Sequence, residues 1–286
     1  MSWASNGRTP WDEPGTFDPE SLDLDTVNRR LRQRFEPETA RTGWGDSLRE
    51  VVDMMPTGTQ VAYGDRLGRA GLQQPVLLDA DLAVESTQPF AWLLDRVGGG
   101  GLKLTDAGRL PPDVVRAASA ALGWDRRWIG TMNREDHVPM AAHLREWATK
   151  TTLVRRYRGT LLLTRSGVAA RKDPGFLMRH LAAQALRVAT KGVSREAGVL
   201  LLGELAMGEE PARDALVNRV AFGLSMLGSA DEDRWSTPSS STASGLITEV
   251  WGLLGMLGLV DSHVRDPLPG SRGLLRDVAR LALQEV

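Results

Sequence analysis

The stretch Leu153–Gly167, LVRRYRGTLLLTRSG, constrains the fold more than any other part of the chain. Two apolar runs flank a short turn, Tyr157-Arg158-Gly159, so the segment reads as a β-hairpin. Its neighbours have helical period. Met140, Leu144, Trp147 and Ala148 fall at i, i+4, i+7 and i+8, one face of a helix over about 138–150. Further upstream, Phe90-Ala-Trp-Leu-Leu-Asp-Arg-Val begins a helix that Gly98–Gly101 terminates. Leu102-Lys-Leu-Thr follows as a strand. Pro111-Pro112 then opens a helix at 113–122, where proline is tolerated. This order defines a winged-helix-like unit, a variant of the helix-turn-helix, over residues 88–172.

A weak repeat supports that layout. Leu102–Gly108 and Leu161–Gly167 share L-x-L-T-x-x-G. In each, a strand runs into a threonine able to cap the next helix. The rest of the chain is strongly helical, at about 174–190, 194–207, 211–227 and 243–257. Ser236–Ser244 reads as a loop, Leu257-Gly-Leu-Val as a short strand, and 273–286 as a closing helix. The expected fold is therefore mainly α: a winged-helix-like unit with a short β-hairpin, then a helical C-terminal domain at 173–286 that resembles a degenerate second winged helix. Residues 1–20 read as a disordered acidic tail. Residues 21–87 read as a helical arm and connection. Leu24, Val27, Leu31 and Phe35 mark one helix there, and Leu48, Val52 and Met55 another. The stretch 57–80 reads as loop-rich, with a strand near Gln74–Leu77.

Charge is the strongest pointer to function. The net charge is only −1, but Val138–Lys191 holds eleven Lys/Arg against two acids. That local excess of +9 is balanced by −10 over the remaining residues. Arg155, Arg156, Arg158 and Arg165 crowd the hairpin, with Arg145 and Lys150 on the helix before it. A wing lays such guanidinium groups along a phosphate backbone, where charge and bidentate geometry both help. The preceding helix would enter the major groove with Ala142, Arg145, Glu146 and Thr149 outward. Glu146 repels phosphate, so backbone charge rather than base readout is expected to dominate.

Other chemistry falls away on inspection. The chain has no cysteine, which excludes disulfides, thiolate metal sites and cysteine nucleophiles. Gly98–Gly101 followed by Lys103 lacks the contiguous Gly-Lys-Ser/Thr of a phosphate loop. His137, His143, His180 and His263 show no metal-ligand spacing. Asn133-Arg134-Glu135-Asp136 is read as a helix start, with Asp136 as the cap and Arg134 paired to an acid, rather than as a carboxylate pair for catalysis. No nucleophile–base–orienter set stands out, and no cofactor is implied. There is no run of about 18 apolar residues to span a membrane.

Several segments together resemble a known family: Trp92-Leu-Leu, Lys103-Leu-Thr, Leu110-Pro-Pro, Asn133-Arg-Glu-Asp, His143-Leu-Arg, Leu153-Val-Arg-Arg, Gly159-Thr-Leu-Leu-Leu-Thr and Trp251-x-Leu-Leu-x-x-Leu-Gly. They are similar to the C-terminal helical region of actinobacterial proteins of the plasmid Ri ORF-three-like family, over about 88–286. The domain that names the family has no counterpart in residues 1–87. The resemblance implies an actinobacterial, cytoplasmic, non-enzymatic protein associated with plasmids or mobile elements, and transfers no functional residue. Two functional readings stay open. One is a nucleic-acid-binding accessory or regulatory protein contacting double-stranded DNA. The other is a protein-interaction module whose basic segment docks an acidic surface, such as its own N-terminal tail or another copy.

Overall fold

The structure is a computed structural model describing residues 43–127, 132–189, 192–208, 212–227, 237–262 and 266–284. The expected acidic tail, the helix carrying Leu24–Phe35, Trp3, Trp11 and His263 lie outside these residues. The described chain is mainly helical with one small antiparallel sheet, as the sequence indicates. The described residues all fall in one compact unit.

Helix α1 (Asp46–Asp53) buries Leu48, Val51 and Val52. Helix α2 (Thr57–Arg69) occupies a stretch expected to be loop. Gly58, Gly64 and Gly68 lower its intrinsic propensity, and only Tyr63 and Leu67 are buried. The helix is held by tertiary contacts, with the Trp44 ring packed against Gly64. No strand forms near Gln74–Leu77. Arg280 instead fixes that segment, donating to the carbonyls of Gly71 and Gln74.

Helix α3 (Ala80–Val97) begins ten residues before the expected start at Phe90. Asp79 caps it by accepting from the Leu82 N–H at 3.0 Å. Pro89 lies inside the helix rather than at its start. Gly98, at φ 53°, ends it. Strand β1 (Leu102–Lys103), helix α4 (Pro112–Ala121) and helix α5 (Pro139–Lys150) follow. The hairpin comprises β2 (Val154–Tyr157) and β3 (Thr160–Leu163). The sheet order is β1-β3-β2, so the last strand is central. Thr164 caps α6 (Arg165–Ala170), accepting from the Gly167 N–H at 3.0 Å. Its counterpart Thr105 caps no helix; it closes a turn with Arg109. The two copies of L-x-L-T-x-x-G therefore end differently. Gly167 has a steric reason: a Cβ there would run into the Leu153 carbonyl.

The remaining helices are α7 (Pro174–Ala183), α8 (Ala185–Val188), α9 (Val193–Ala206), α10 (Arg213–Leu227), α11 (Ser240–Met256) and α12 (Ser271–Gln284). Ser239 caps α11 through the Thr242 N–H, so the helix starts inside the expected serine-rich loop. Leu257-Gly-Leu-Val is not a strand. Leu257, Leu259 and Val260 are buried in a turn where the Leu268 N–H donates to the Gly258 carbonyl. With no strand among its described residues, the C-terminal part does not repeat the helix–hairpin layout. Helix α9 is buried along most of its length, since α1, α10, α11 and α12 all pack around it. Helices α1 and α2 thereby join the C-terminal helices rather than forming an arm. The α3–α7 contact ties them to the sheet-bearing part.

Candidate nucleic-acid interface

Strand alternation decides which side chains leave the core. Leu102, Leu161 and Arg156 share one row across the sheet, and Leu161 is buried. The opposite face carries Lys103, Thr160 and Tyr157 in one row, with Leu162 and Arg155 in the next. Lys103, Arg155 and Tyr157 are exposed. Two strand spacings put Lys103 about 10 Å from Tyr157.

The hairpin turn has two residues, Arg158 and Gly159, at φ 47° and 74°. Tyr157, expected in the turn, is the last residue of β2. Positive φ at both central residues suits the twist of the flanking strands, and glycine adopts it freely. For Arg158 that conformation costs about 1–3 kcal/mol. Arg158 and Arg155 lie over the Tyr157 ring, at 5.1 and 5.5 Å from its centroid. These cation–π contacts gather two cations and an aromatic at the hairpin tip.

Arg156 leaves the sheet on the Leu161 face, and its guanidinium lies over Gly108 in the turn after β1. Any side chain at 108 would displace it. Arg165 is exposed at the first position of α6. Among the described residues, Lys103, Arg155, Arg156, Arg158 and Arg165 have no carboxylate within salt-bridge distance. The −10 remainder of the chain does not neutralise this cluster through any described residue.

Arg145 is a different case and leaves the candidate set. Its Nε and Nη2 grip the two oxygens of Glu135 at 2.8 and 2.9 Å. Glu135 is buried and also accepts from the Leu110 N–H at 2.9 Å. The hydrogen bonds to Glu135 raise the Arg145 pKa above its ordinary value, outweighing desolvation. This guanidinium pins α5 to the loop before it. Lys150 is also engaged, donating to Glu249 Oε2 at 3.2 Å and to the Val188 carbonyl at 3.3 Å. The same Glu249 oxygen accepts from Trp147 Nε1 at 3.1 Å. Gly252 of α11 lets the Trp147 ring approach closely; a Cβ there would sit 2.9 Å from the indole.

Helix α5 is thus covered along one side by α11. Of its residues only Thr149 and Lys150, at its C-terminal end, are exposed. The Asn133–Asp136 tetrad resolves as two structural pairs. Glu135 holds Arg145, and Asp136 pairs with Arg109 instead of capping α5. The glycine run Gly98–Gly101 ends α3 and feeds β1. Among the described residues no group of three or more His, Asp or Glu is placed to hold a metal ion. No described helix is long and apolar enough to cross a membrane.

Sequence reasoning missed Lys103 and Tyr157. The alternation Leu102-Lys103-Leu104 is the signal for an outward lysine. The pairing of β1 with β3, which places Lys103 beside the hairpin, has no local signature. No protein-family model matches the chain, and neither does any curated protein or solved structure.

Proposed function

We propose that residues 80–170 form a winged helix whose sheet, tip and following helix bind the phosphate backbone of double-stranded DNA, in a non-enzymatic accessory or regulatory protein of the cytoplasm. The observation that carries this reading is the set of exposed cations without acid partners: Lys103, Arg155, Arg156, Arg158 and Arg165. The order α3-β1-α4-α5-β2-β3, with β3 central, is consistent with a wing following a recognition-type helix. Arginine suits the role because its planar fork matches phosphate bidentately. Tyr157 adds a flat face beside two guanidinium groups.

Base readout through α5 is disfavoured. Arg145 is held by Glu135 and lies 3.7 Å from the Glu146 carboxylate, and Lys150 is held by Glu249. Binding is therefore non-specific and salt-dependent. Four to five phosphate contacts give a slope of log K against log salt of about −4. The test is a salt titration of duplex binding by fluorescence anisotropy, with Lys103→Ala/Arg155→Ala/Arg158→Ala beside the parent. These positions are exposed, so the fold is expected to survive. A slope that stays at the parent value would remove the sheet face from the interface. The packing of α11 against α5 favours a second reading, in which the same cations dock an acidic protein surface. Tight binding to a polyanionic protein without duplex affinity would select it.

A further inference from the structure

A cavity of about 520 Å³ opens between α2, α9 and α10, formed by residues outside the cationic sheet. That volume is typical of small-molecule sites. Its walls are apolar, with Met55, Leu200 and Phe222 among the lining residues. Phe222 is 59 % exposed, an unusual place for a large aromatic ring on a packed helix.

One end of the cavity is polar. Glu204, almost fully buried, accepts on Oε2 from Arg219 at 2.9 Å and from Arg66 at 3.4 Å. Both guanidinium groups address the same oxygen, and Arg219 holds it more closely. Arg66 is more than a third exposed and uses one of its five N–H groups. Beside it, the Tyr63 hydroxyl is buried over Gly203 with no hydrogen-bond partner. Burial, reinforced by Glu204, pushes the Tyr63 phenol well above its ordinary range, so it stays a neutral donor. A buried donor without an acceptor is uncommon and marks a place where an acceptor is missing.

We propose that this cavity binds an amphipathic organic monoanion, its carboxylate held by Arg66 and its apolar body lying along Met55, Leu200 and Phe222. A cationic ligand would set like charge beside Arg66. A neutral one would leave the spare guanidinium edge unused, since charged hydrogen bonds are about twice as strong as neutral ones.

The test uses the full-length protein and isothermal titration with decanoate, below its micelle concentration, against decanol and decylammonium. Decanoate is expected to bind one per chain, at least about tenfold tighter than decanol. Arg66→Gln should abolish that preference while leaving decanol binding unchanged, and Arg66→Lys should restore part of it. Ala62→Phe, at an exposed lining position, should block both ligands without lowering the melting temperature. If Ala62→Phe fails to fold, the Arg66 pair still decides the matter. Equal affinity for decanoate and decanol, retention of the preference in Arg66→Gln, or no binding by any of the three would overturn the proposal.

Discussion

Replacing Arg158 with asparagine separates conformational strain from function at one position. Arg158 adopts φ 47° as the first residue of a two-residue turn, followed by Gly159 at 74°. Asparagine tolerates this region far better than arginine, and Asn-Gly is the preferred pair for such turns. Relief of about 0.5–1 kcal/mol is expected, out of the 1–3 kcal/mol such a conformation costs. For a unit of this size that raises the melting temperature by about 1–4 °C, readable by circular dichroism. The same change removes one phosphate contact. Each contact contributes roughly 0.9 log unit at 0.1 M salt, so duplex affinity should fall about eightfold and the salt slope should flatten by about 1. Arg158→Lys keeps both the charge and the strain, and should resemble the parent in both assays. An asparagine variant no more stable than the parent refutes the strain argument. One that binds duplex unchanged places the tip outside the interface.

Four further outcomes follow from the packing. Gly167→Ala should destabilise by about 1–3 kcal/mol in chemical denaturation, because its methyl meets the Leu153 carbonyl. Arg280→Ala should cost about 3 kcal/mol in the same assay, since the buried Gly71 carbonyl and the part-buried Gln74 carbonyl lose a charged donor. Glu135→Ala should cost a similar amount, about 3 kcal/mol, by leaving the partly buried Arg145 with only the longer Glu146 contact at 3.7 Å; a loss under 1 kcal/mol would contradict the role given to that pair. Tyr63 keeps its proton in the folded state above the pH where the unfolded chain loses it. Its contribution is therefore complete below about pH 10 and declines as pH rises, by about 1 kcal/mol per pH unit. Tyr63→Phe should lack that part of the alkaline loss in denaturant melts at pH 9–11.5, and parallel pH curves for the two proteins would contradict the assignment.

Local patterns carried much of the fold. The period of Met140, Leu144 and Trp147, the glycines after Val97 and the prolines that open α4 each act within a few residues, and the corresponding elements form. Helix α2 was hidden because its three glycines weaken the propensity signal and only two of its side chains are buried; its stability comes from partners such as Glu204, 138 residues from Arg66. Helix α3 starts well before the apolar run at Phe90 that announces it, because capping by Asp79 sets the start earlier. Leu257–Val260 looked like a strand because a buried turn is as apolar as a short strand.

The candidate site was legible in part. The hairpin arginines announce themselves by crowding. Arg145 and Lys150 read the same way in sequence, yet their partners, Glu135 and Glu249, are set by a loop and by a helix 99 residues away from Lys150. A charge count cannot tell a solvated cation from one already held, and the three-dimensional pairing does.

The most direct measurement is the salt dependence of duplex binding by the full-length protein, compared with Lys103→Ala/Arg155→Ala/Arg158→Ala. If the sheet face tracks phosphate, the parent binds a random-sequence duplex at about 50 mM salt with a slope near −4, and the triple variant drops to about −1. No binding at that salt, or an unchanged slope in the variant, would contradict the DNA-backbone reading of this surface.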